Sequence, residues 1–365
     1  MGKIFYITRF ALDGREGGAS RTRQVLELLA GHETKVIRID GTIQAIPNLL
    51  KNLLLPPLCS PELFLWARGY RRHVFQLRCG ARLALKQNPD LREAGLVLLE
   101  DPAYFPSLPS YLQKHRIPWV SIVHNIESLA PARAARGKLW KLLARETDAL
   151  RGSGFSLCLG DEEAFLLSNL GIKTRVLPYY PASEKFAGLL RIRARRKTTK
   201  PEGFLMLGSA QNPPTREGMR RVIAEWESRG LYKKFGVLQV AGQDTEHFPH
   251  GEGVEILGRL SDEELERCLL RIRAALCFQE QGAGQLTRIM DFLVAGVPVV
   301  ANRHAARSYH CVSGLHQFED LNGLPKALDD LMRQPALLPP PPVAPDTSAV
   351  LEALHFLLRN APEAT

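Results

Sequence analysis

Short apolar runs alternate with longer stretches of helical periodicity along almost the whole chain. Many of these runs, such as LVLL and FLML, are apolar at every position rather than at every second one. Strands of this kind are covered by helices on both faces, and strand–helix alternation is typical of parallel α/β sheets. The predicted strands form two series, which are Ile4–Thr8, Lys35–Asp40, Leu96–Glu100, Trp119–His124 and Phe155–Leu159, then Phe204–Gly208, Val237–Gly242, Val254–Leu257, Ala274–Phe278 and Pro298–Ala301.

Two stretches interrupt this alternation. RIRARRKTTKPEG (Arg191–Gly203) has six basic residues in its first ten and little apolar periodicity, which predicts a solvated connector. In LLPPPPVAPD (Leu337–Asp346) four consecutive prolines exclude a helix and favour an extended segment, and an amphipathic helix, Ser348–Leu358, is predicted after it. The predicted organisation is a Rossmann-like domain (1–185), a basic linker (186–202), a second Rossmann-like domain (203–336) and a proline bridge with a C-terminal helix (337–365).

Two doubly wound domains of this kind, facing each other, leave a cleft at the carboxyl ends of their strands, where ligands bind. Lys and Arg (48) exceed Asp and Glu (38), and the net charge of +10 favours an anionic partner: a nucleotide diphosphate, a phospholipid surface or a nucleic acid. No recognition motif or aromatic stacking platform for nucleic acid is visible. No specific nucleic-acid partner is therefore expected.

The six cysteines include no C-x-x-C pair and no Cys/His cluster with zinc spacing, which predicts thiols in a reducing compartment. The N-terminal MGKIFYITRF lacks the regions of a signal peptide, and no run of 18 apolar residues exists. The predicted location is cytoplasmic, with the inner face of a membrane as one option. The stretch Leu63–Lys86, with six basic residues and no acid, is either a helix lying on an anionic membrane or a domain helix with arginines in water.

The segment from Gln279 to Asn302 is the most informative for chemistry. A predicted strand ends at Phe278, a loop with Gly282 and Gly284 follows, and a helix is predicted to run to Val294. Small residues before a helix N-terminus let backbone N–H groups approach a phosphate, and the helix dipole favours negative charge there. The loop is therefore a candidate diphosphate site.

Three side chains of that helix have the right chemistry for a nucleotide. Thr287 and Arg288 in the first turn would add a hydroxyl and a guanidinium to a diphosphate, and Asp291 would accept hydrogen bonds from ribose hydroxyls. The alternative is a tightly packed turn with Asp291 and Arg288 paired on the helix surface. Spacing alone does not decide between the two, because glycine loops are weak motifs.

QEQGAGQLTRIMDFLVAGVPVVAN resembles the donor-binding segment of the retaining GT-B glycosyltransferases of family four, whose pattern is E-G-F-G-x-x-x-x-E-A-x-A-x-G-x-P-V-V. VAGVPVV matches the end of that pattern, and the family's second glutamate falls on Asp291. The first glutamate falls on Ala283, and Glu280 is three residues out of register. A sub-group with G-x-G-x-x-T-R/K-x-x-E is similar to GAGQLTRIMD.

The resemblance extends to the first half of the chain. Gly17–Ser20 before RTRQVLELLA is similar to the family's first glycine loop, which implies that Gly18 lies near the donor; the alternative is a turn with Ser20 as N-cap. His124, at the end of WVSIVHN, falls where the family commonly has a histidine facing the donor sugar; the alternative is a histidine satisfied in a turn. Glu127 is either an acceptor-side base or a first-turn carboxylate.

Other matches fall at the start of the second half. FLMLGSAQNPPTREGMRRVI resembles the beginning of the family's second domain, which implies that Gly208 and Arg216 contact the donor diphosphate. Two further sites are predicted to be structural: Asp161 as a helix N-cap, and Ser261 with Glu264 as a capping box.

The resemblance implies a glycosyltransferase with two Rossmann-like domains, the C-terminal helix crossing back to the first. It implies transfer, with retention, from a nucleotide-sugar donor to a saccharide or lipid-linked acceptor. His124 and Asp291 are the candidate catalytic residues, and the donor ligands are those named above. No D-x-D motif is present, so no metal and no cofactor are predicted. A nucleotide-sugar epimerase, a non-catalytic relative and a nucleic-acid-binding protein remain alternatives.

Overall fold

Two parallel sheets of six strands each organise the chain. The computed structural model describes residues 2–14, 16–39, 81, 84–105, 107–129, 139–198, 201–334 and 338–361. The chain forms two compact units, Met1–Pro178 with Pro345–Thr365, and Tyr179–Ala344. Each unit has one of the sheets, so the predicted two α/β domains are confirmed.

The sheet of the first unit has the order β2-β1-β3-β4-β5-β6. Its strands are β1 (Ile4–Thr8), β2 (Thr34–Arg38), β3 (Leu96–Glu100), β4 (Trp119–Val123), β5 (Ser156–Cys158) and β6 (Thr174–Val176). Its helices are α1 (Gly17–Leu28), α2 (Ser107–Lys114), α3 (Leu139–Leu150) and α4 (Asp161–Asn169), with 3-10 turns at Pro89–Glu93, Pro102–Tyr104 and Glu127–Leu129.

Every residue of β1, β3 and β4 is buried, because core side chains pack on both faces of the sheet. Phe5 and Ile7 belong to one apolar cluster, and Ile4 and Tyr6 belong to another. This alternation is the two-residue period of a strand. It explains the uninterrupted apolar runs of the sequence.

The sheet of the second unit has the order β12-β11-β10-β7-β8-β9. Its strands are β7 (Phe204–Leu207), β8 (Leu238–Ala241), β9 (Val254–Gly258), β10 (Ala274–Cys277), β11 (Val299–Asn302) and β12 (Leu315–Phe318). Its helices are α5 (Ser183–Arg196), α6 (Pro213–Ser228), α7 (Tyr232–Phe235), α8 (Asp262–Arg271), α9 (Thr287–Val294) and α10 (Leu324–Arg333), with a 3-10 turn at Leu321–Gly323.

The strand order reverses once in each sheet. The reversal lies between β1 and β3 in the first unit and between β7 and β10 in the second. Loops that leave the carboxyl ends of strands at such a point diverge and open a crevice, where doubly wound sheets bind ligands. In each unit, functional side chains are therefore expected near the reversal of strand order.

The C-terminal helix α11 (Ser348–Arg359) belongs to the first unit, as predicted. Val350 and Leu354, one turn apart, are buried in the cluster that contains Ile4 and Tyr6. The chain after the prolines therefore completes the core of the first unit. The predicted return of this helix is confirmed.

All ten predicted strands are present, but β6 and β12 were not predicted. Both lie at an edge of their sheet. Their sequences, TRV and LHQF, carry the exposed polar residues Arg175 and Gln317. Edge strands need not be apolar on both faces, so the pattern that found the central strands could not find these.

The predicted linker 186–202 is wrong over its first part, because Ser183–Arg196 is helix α5 of the second unit. Arg193 Nη1 donates to the carbonyls of Leu293 (3.0 Å) and Val294 (3.3 Å), at the C-terminal end of α9. Arg196 is buried, and its Nε donates to the carbonyl of Gly296 (3.1 Å). Cations are favourable at helix C-termini, so two of these basic side chains bind carbonyls instead of facing solvent.

Two predicted helix caps had different outcomes. α4 begins at Asp161 itself with Gly160 at the cap position, so Asp161 is a first-turn residue and the N-cap prediction is wrong by one position. The capping box is confirmed: Glu264 N donates to Ser261 Oγ (3.2 Å), and Ser261 N donates to Glu264 Oε2 (2.8 Å). The alternative role of Ser20 as an N-cap is excluded because α1 already begins at Gly17.

The basic stretch Leu63–Lys86 falls for the most part outside the described residues. At its end, Ala81 and Ala84 are buried in the apolar cluster of the first unit. Among the helices that the structure describes, none combines the length and the apolarity that a membrane span requires.

Candidate functional site

Arg288 occupies the reversal point of the second sheet. It is the second residue of α9, and its Nη1 donates to the carbonyl of Leu207 (2.6 Å), the last residue of β7. Its Nη2 donates to Thr215 Oγ1 (3.2 Å) in the first turn of α6. Its charge and a side-chain hydrogen bond also act on the buried thiol of Cys277, where they oppose the effect of burial, which raises the pKa of that thiol. Arg288 therefore lies at the N-terminus of α9, and its role toward a diphosphate stays a prediction.

Gly208 makes room for that guanidinium. A Cβ on Gly208 would lie 1.9 Å from Arg288 Nη1 and 2.8 Å from Thr215 Cγ2. The backbone of Gly242, after β8, is equally close, since a Cβ there would lie 1.8 Å from the carbonyl oxygen of Gly208. Gly208 was predicted to let a ligand approach closely. In the structure, the neighbouring Arg288 already requires a glycine at this position.

The loop between β10 and α9 has the backbone that its glycines imply. Gly282 (φ +145°) and Gly284 (φ +73°) adopt conformations that other residues rarely accept. Arg307 Nη2 donates to the carbonyl of Ala283 (2.9 Å), and its Nη1 donates to Gln279 Oε1 (3.2 Å). A second arginine, not predicted from the sequence, therefore holds this loop in place.

A buried amide pair fixes the start of the same loop. Gln279 N donates to Asn302 Oδ1 (3.0 Å), and Asn302 Nδ2 donates to the carbonyl of Gln279 (2.7 Å). The pair joins the carboxyl ends of β10 and β11. Glu280, which the sequence offered as a substitute carboxylate, forms an ion pair with Arg221 on α6. It is therefore engaged with the protein.

Asp291 pairs with Lys185 rather than with Arg288. Lys185 Nζ donates to Asp291 Oδ2 (2.6 Å), and the hydroxyl of the buried Tyr179 donates to Oδ1 (2.9 Å). An ionised carboxylate accepts about four hydrogen bonds, so both oxygens keep capacity for ribose hydroxyls. The role of Asp291 toward a ribose stays a prediction.

The other predicted donor ligands lie on the same unit, with one exception. Thr287 is the first residue of α9 and is half-buried. Arg216, on α6, is exposed and donates to the carbonyl of Ala210 (3.4 Å). Gly18 belongs to the first unit, in the first turn of α1, where a Cβ would lie 2.2 Å from the Phe10 ring.

In the first unit, His124 follows β4 and lies next to two carboxylates. Its ring centroid is 5.0 Å from that of Phe10, and its backbone N–H donates to Asp101 Oδ1 (3.4 Å). Its Nε2 lies 3.4 Å from Glu100 Oε1, an ion-pair contact without the direction of a good hydrogen bond. The predicted histidine thus has partners that the sequence did not indicate.

Glu100 is fully buried at the carboxyl end of β3. Tyr6 Oη donates to its Oε1 (2.6 Å), and Thr22 Oγ1 donates to the same oxygen (2.8 Å). Thr8 Oγ1 donates to its other oxygen. Burial, and then the nearby Glu100, raise the pKa of Tyr6 well above 10.0, which keeps its hydroxyl protonated as a donor.

Asp101, the next residue, is held in a left-handed conformation (φ 44°) that few residues other than glycine adopt. Arg9 Nη2 donates to its Oδ2 (3.1 Å). The Arg9 guanidinium lies over the Phe10 ring at 4.5 Å and over the Tyr104 ring at 4.6 Å. Strained backbone of this kind clusters at functional sites, and here both adjacent carboxylates contact His124.

The charges around His124 determine its protonation. Burial opposes the charged form, but the negative charge of Asp101 and the contact with Glu100 outweigh burial and the opposing charge of Arg21. The pKa of His124 is therefore raised above 6.5. An imidazolium at this position is a hydrogen-bond donor with a positive charge.

Glu127 matches the structural one of its two interpretations. It is the first residue of a 3-10 turn, and its backbone N–H donates to Glu146 Oε1 (2.8 Å). The same carboxylate accepts the N–H of Ser128 (2.8 Å) through Oε2. Glu146 therefore caps this turn.

Sequence reasoning missed Glu100, Arg9, Arg307 and Lys185. A signal for the first was present, because LVLLED places acids directly after an apolar strand, at the end where ligands bind. No comparable signal marks Arg307 or Lys185. Their roles depend on segments that lie far apart in the sequence.

The sequence matches no protein-family model and none of the curated proteins. Solved structures do match. Trehalose 6-phosphate synthase from Burkholderia multivorans has a TM-score of 0.62 at 10% identity, over 98% of this chain and 95% of that one. HepE from Anabaena, solved with UDP and glucose, has a TM-score of 0.57 at 11% identity, over 98% of both chains.

A third similar structure is the UDP-GlcNAc 2-epimerase of Methanocaldococcus jannaschii, solved with UDP-GlcNAc and UDP. Its TM-score is 0.56 at 11% identity, over 98% of this chain and 100% of that one. This chain has the GT-B fold. The GT-B fold confirms the predicted fold class. At such low sequence identity, the similarity shows the fold but not the reaction.

Proposed function

We propose that this GT-B protein transfers a sugar from a nucleoside-diphosphate sugar to an acceptor. The observation that carries the proposal is the position of Arg288, whose guanidinium lies at the reversal point of the second sheet, in the first turn of α9 and against the carbonyl of Leu207. The N-terminus of α9 and the glycine loop precede it directly. A guanidinium beside a helix N-terminus suits a diphosphate, whose oxygens accept several hydrogen bonds at once.

The second unit supplies the donor site in this proposal. The loop from Gly282 to Gly284, with Thr287 and Arg288, binds the diphosphate, and Asp291 accepts from the ribose. Arg216 adds positive charge, and Gly208 leaves the space in which Arg288 sits. Negative charge develops on the diphosphate as the sugar leaves, and fixed cations stabilise it there without a metal or a cofactor.

His124 contacts the sugar, and Gly18 borders the donor from the first unit. The acceptor is a saccharide or a lipid-linked molecule, and the transfer retains the configuration of the sugar. The protein works in the cytoplasm, where a lipid-linked acceptor would place it at a membrane surface. Solved proteins of this fold support a nucleotide-sugar donor, since HepE was solved with UDP and with UDP-glucose.

The test is a thermal-shift and calorimetric screen against UDP, GDP, ADP, TDP and CMP. One diphosphate is expected to stabilise the wild type by about 2.7 kcal/mol when present at a hundred times its dissociation constant. Arg288→Ala should lose this stabilisation, whereas Arg333→Ala should keep it. Arg333 is a suitable control because it is exposed on α10 and pairs with Asp330 (3.8 Å) within the same helix.

Two results would contradict the donor site: no nucleotide stabilises the wild type, or the variant Arg288→Ala responds as the wild type does. A nucleotide that does stabilise the protein identifies the nucleoside of the donor, and its sugar derivatives are then tested as donors. Release of the free nucleotide, dependent on an added acceptor, would establish the transfer.

Nucleotide-sugar epimerisation is a second candidate, because Asp101 and His124 lie side by side and have the acidic and basic groups that opening of a sugar requires. The two functions differ in their need for an acceptor. Incubation with a nucleotide sugar alone would give an isomer of that sugar if the protein is an epimerase. A transferase would leave it unchanged or hydrolyse it slowly.

A further inference from the structure

Glu100 and His124 bring a carboxylate and an imidazole together in the core of the first unit, and nothing in the donor site explains why the carboxylate is there. The Glu100 side chain is fully buried, and that of His124 is 11% exposed. We propose that Glu100 is the positioning residue that keeps His124 protonated and oriented as a cationic hydrogen-bond donor toward the bound sugar or its phosphate. The substrate named here rests on the proposed function, but the pairing itself does not.

The surroundings of Glu100 match an ionised carboxylate, which only accepts hydrogen bonds. Hydroxyl groups of Tyr6, Thr8 and Thr22 donate to it from β1 and α1. A fully apolar residue would fill this place at lower cost if packing were its sole purpose, because charge burial is expensive. The three hydroxyl donors instead stabilise a negative charge next to His124.

The ring of His124 is fixed from several directions. Its Nε2 faces Glu100 at 3.4 Å, and the Phe10 ring lies against it at 5.0 Å with an interplanar angle of 53°. Asp101 accepts the backbone N–H of the same residue and so holds its main chain. Since Nε2 is turned toward the buried carboxylate, Nδ1 is the atom that acts on the substrate. The carboxylate of a catalytic triad acts on its histidine in the same way, by selecting the proton position and the orientation.

Other charged groups around the ring act in both directions. Asp101 favours the imidazolium, while Arg21 on α1 opposes it. Arg9 on the first strand–helix loop offsets part of the Asp101 charge by pairing with it at 3.1 Å. The charge of Asp101 makes the largest single contribution that raises the pKa of His124, and Glu100 adds two, through its contact and through its charge. Glu100 is the carboxylate that contacts the ring nitrogen, so its removal tests the pair directly.

The experiment is an NMR titration of the histidine rings in the full-length protein without substrate, with His124→Gln used to assign the resonance. The wild-type midpoint for His124 should lie above 6.5. In Glu100→Gln, which keeps the shape but not the charge, the proton affinity of His124 should fall about tenfold, so that its pKa falls by about one. Glu100→Asp keeps the charge and should restore most of the affinity.

Tyr6→Phe is the matched control, because it removes a hydroxyl that donates to the same buried carboxylate and leaves the charge in place. Its His124 midpoint should equal or exceed that of the wild type. Equal midpoints in Glu100→Gln and the wild type would overturn the proposal and make Glu100 a purely structural residue. If Glu100→Gln does not fold, a wild-type midpoint at or below 6.5 overturns it as well.

A kinetic measurement separates this proposal from the proposed function. Transfer by the wild type should decline as the pH rises through the His124 midpoint, and in Glu100→Gln the decline should begin at lower pH. If no transfer is found, the titration still tests the pair. If transfer occurs with the same pH profile in both proteins, the function stands and the pairing fails.

Discussion

The two units put opposite charges at equivalent points of their sheets. In the first unit, Glu100 ends β3 and Asp101 follows it at the reversal of strand order, whereas in the second unit Arg288 lies where β7 and β10 are neighbours. Similar topology brings loops together at both points, and the side chains there decide the chemistry. An acidic centre beside a histidine suits proton transfer and orientation, while an arginine beside a helix N-terminus suits an anion.

The two centres also differ in how completely the protein satisfies them. Glu100 accepts from three hydroxyl groups of its own unit, so its environment is complete without a ligand. Arg288 donates to two protein oxygens, but its side chain is only half-buried. The first centre should therefore matter most for folding, and the second most for binding.

Glu100→Ala tests this difference with the largest expected effect. It should destabilise the first unit by about 3–5 kcal/mol, since three hydroxyl groups lose a buried acceptor together. Arg288→Ala, in which only a half-buried side chain is lost, should cost about 1 kcal/mol or less in the absence of a ligand. Hydrogen exchange followed by mass spectrometry reports both units separately, through peptides from Ile4–Thr8 and Phe204–Leu207.

The comparison would fail if the two substitutions destabilised their units equally. It would also fail if Glu100→Ala left exchange in the first unit unchanged. Separate readouts matter because a protein of two units need not unfold in a single transition.

Gly208→Ala tests whether the second centre depends on open space beside Arg288. The added methyl would lie 1.9 Å from Arg288 Nη1, so either the guanidinium or the backbone must move. Overpacking of this kind costs about 1–3 kcal/mol, and displacement of the guanidinium should abolish the stabilisation by a nucleotide.

Gly188→Ala is the matched control, since the nearest atom to the new methyl would be 3.6 Å away, on a helix of the same unit. It should be neutral or stabilising by up to about 1 kcal/mol, because alanine is the better helix former. Nucleotide binding that survives in Gly208→Ala would show that the position of Arg288 is not essential to the second centre.

The sequence was most informative where side-chain periodicity follows directly from burial. Central strands such as β3 and β10 are apolar on both faces and were predicted within one or two residues, and VAGVPVV located the helix that carries Arg288. Charge was a poorer guide. The basic run after Ser183 looked like a solvated linker, although Arg193 and Arg196 bind carbonyls at the ends of two helices.

The candidate site was predictable only in part for a related reason. Arg288 and His124 stand next to recognisable local patterns, a glycine loop and a strand end. Glu100 instead acquires its meaning from Tyr6 and Thr22, which are 94 and 78 residues away in the sequence. Contacts between separate elements are set by the tertiary packing, and no local pattern encodes them.

One histidine in each unit should make the stability of that unit depend on pH, and the two dependences should have opposite directions. The raised pKa of His124 means that its stabilising contribution is complete below 6.5 and is lost as the pH rises through the folded-state value. Burial, followed by the charge of Arg307, lowers the pKa of His304 in the second unit. Its contribution is complete above 6.5 and is lost as the pH falls through that value toward the folded-state one.

His124→Asn and His304→Asn, each compared with the wild type between pH 5 and 9, should isolate these contributions. A difference of one in pKa between the folded and unfolded states corresponds to about 1.4 kcal/mol. The effect at His124 should be the larger because its charged partners Asp101 and Glu100 are buried, whereas His304 is exposed and its interactions are screened by solvent. Unit-specific hydrogen exchange again provides the measurement. If the stability differences caused by the two substitutions changed with pH in the same direction, the expected electrostatic difference between the units would be wrong.

Ser261→Ala has the smallest expected effect and separates stability from binding within the second unit. Loss of the capping box on α8 should cost about 1 kcal/mol, since Glu264 N and Ser261 N lose their reciprocal partners. Nucleotide binding should be unchanged, because no contact of this box reaches the glycine loop or Arg288 in the described part of the chain. If Ser261→Ala weakened nucleotide binding as much as Gly208→Ala does, general destabilisation would account for both effects. The result would then contradict an anion-binding site at Arg288.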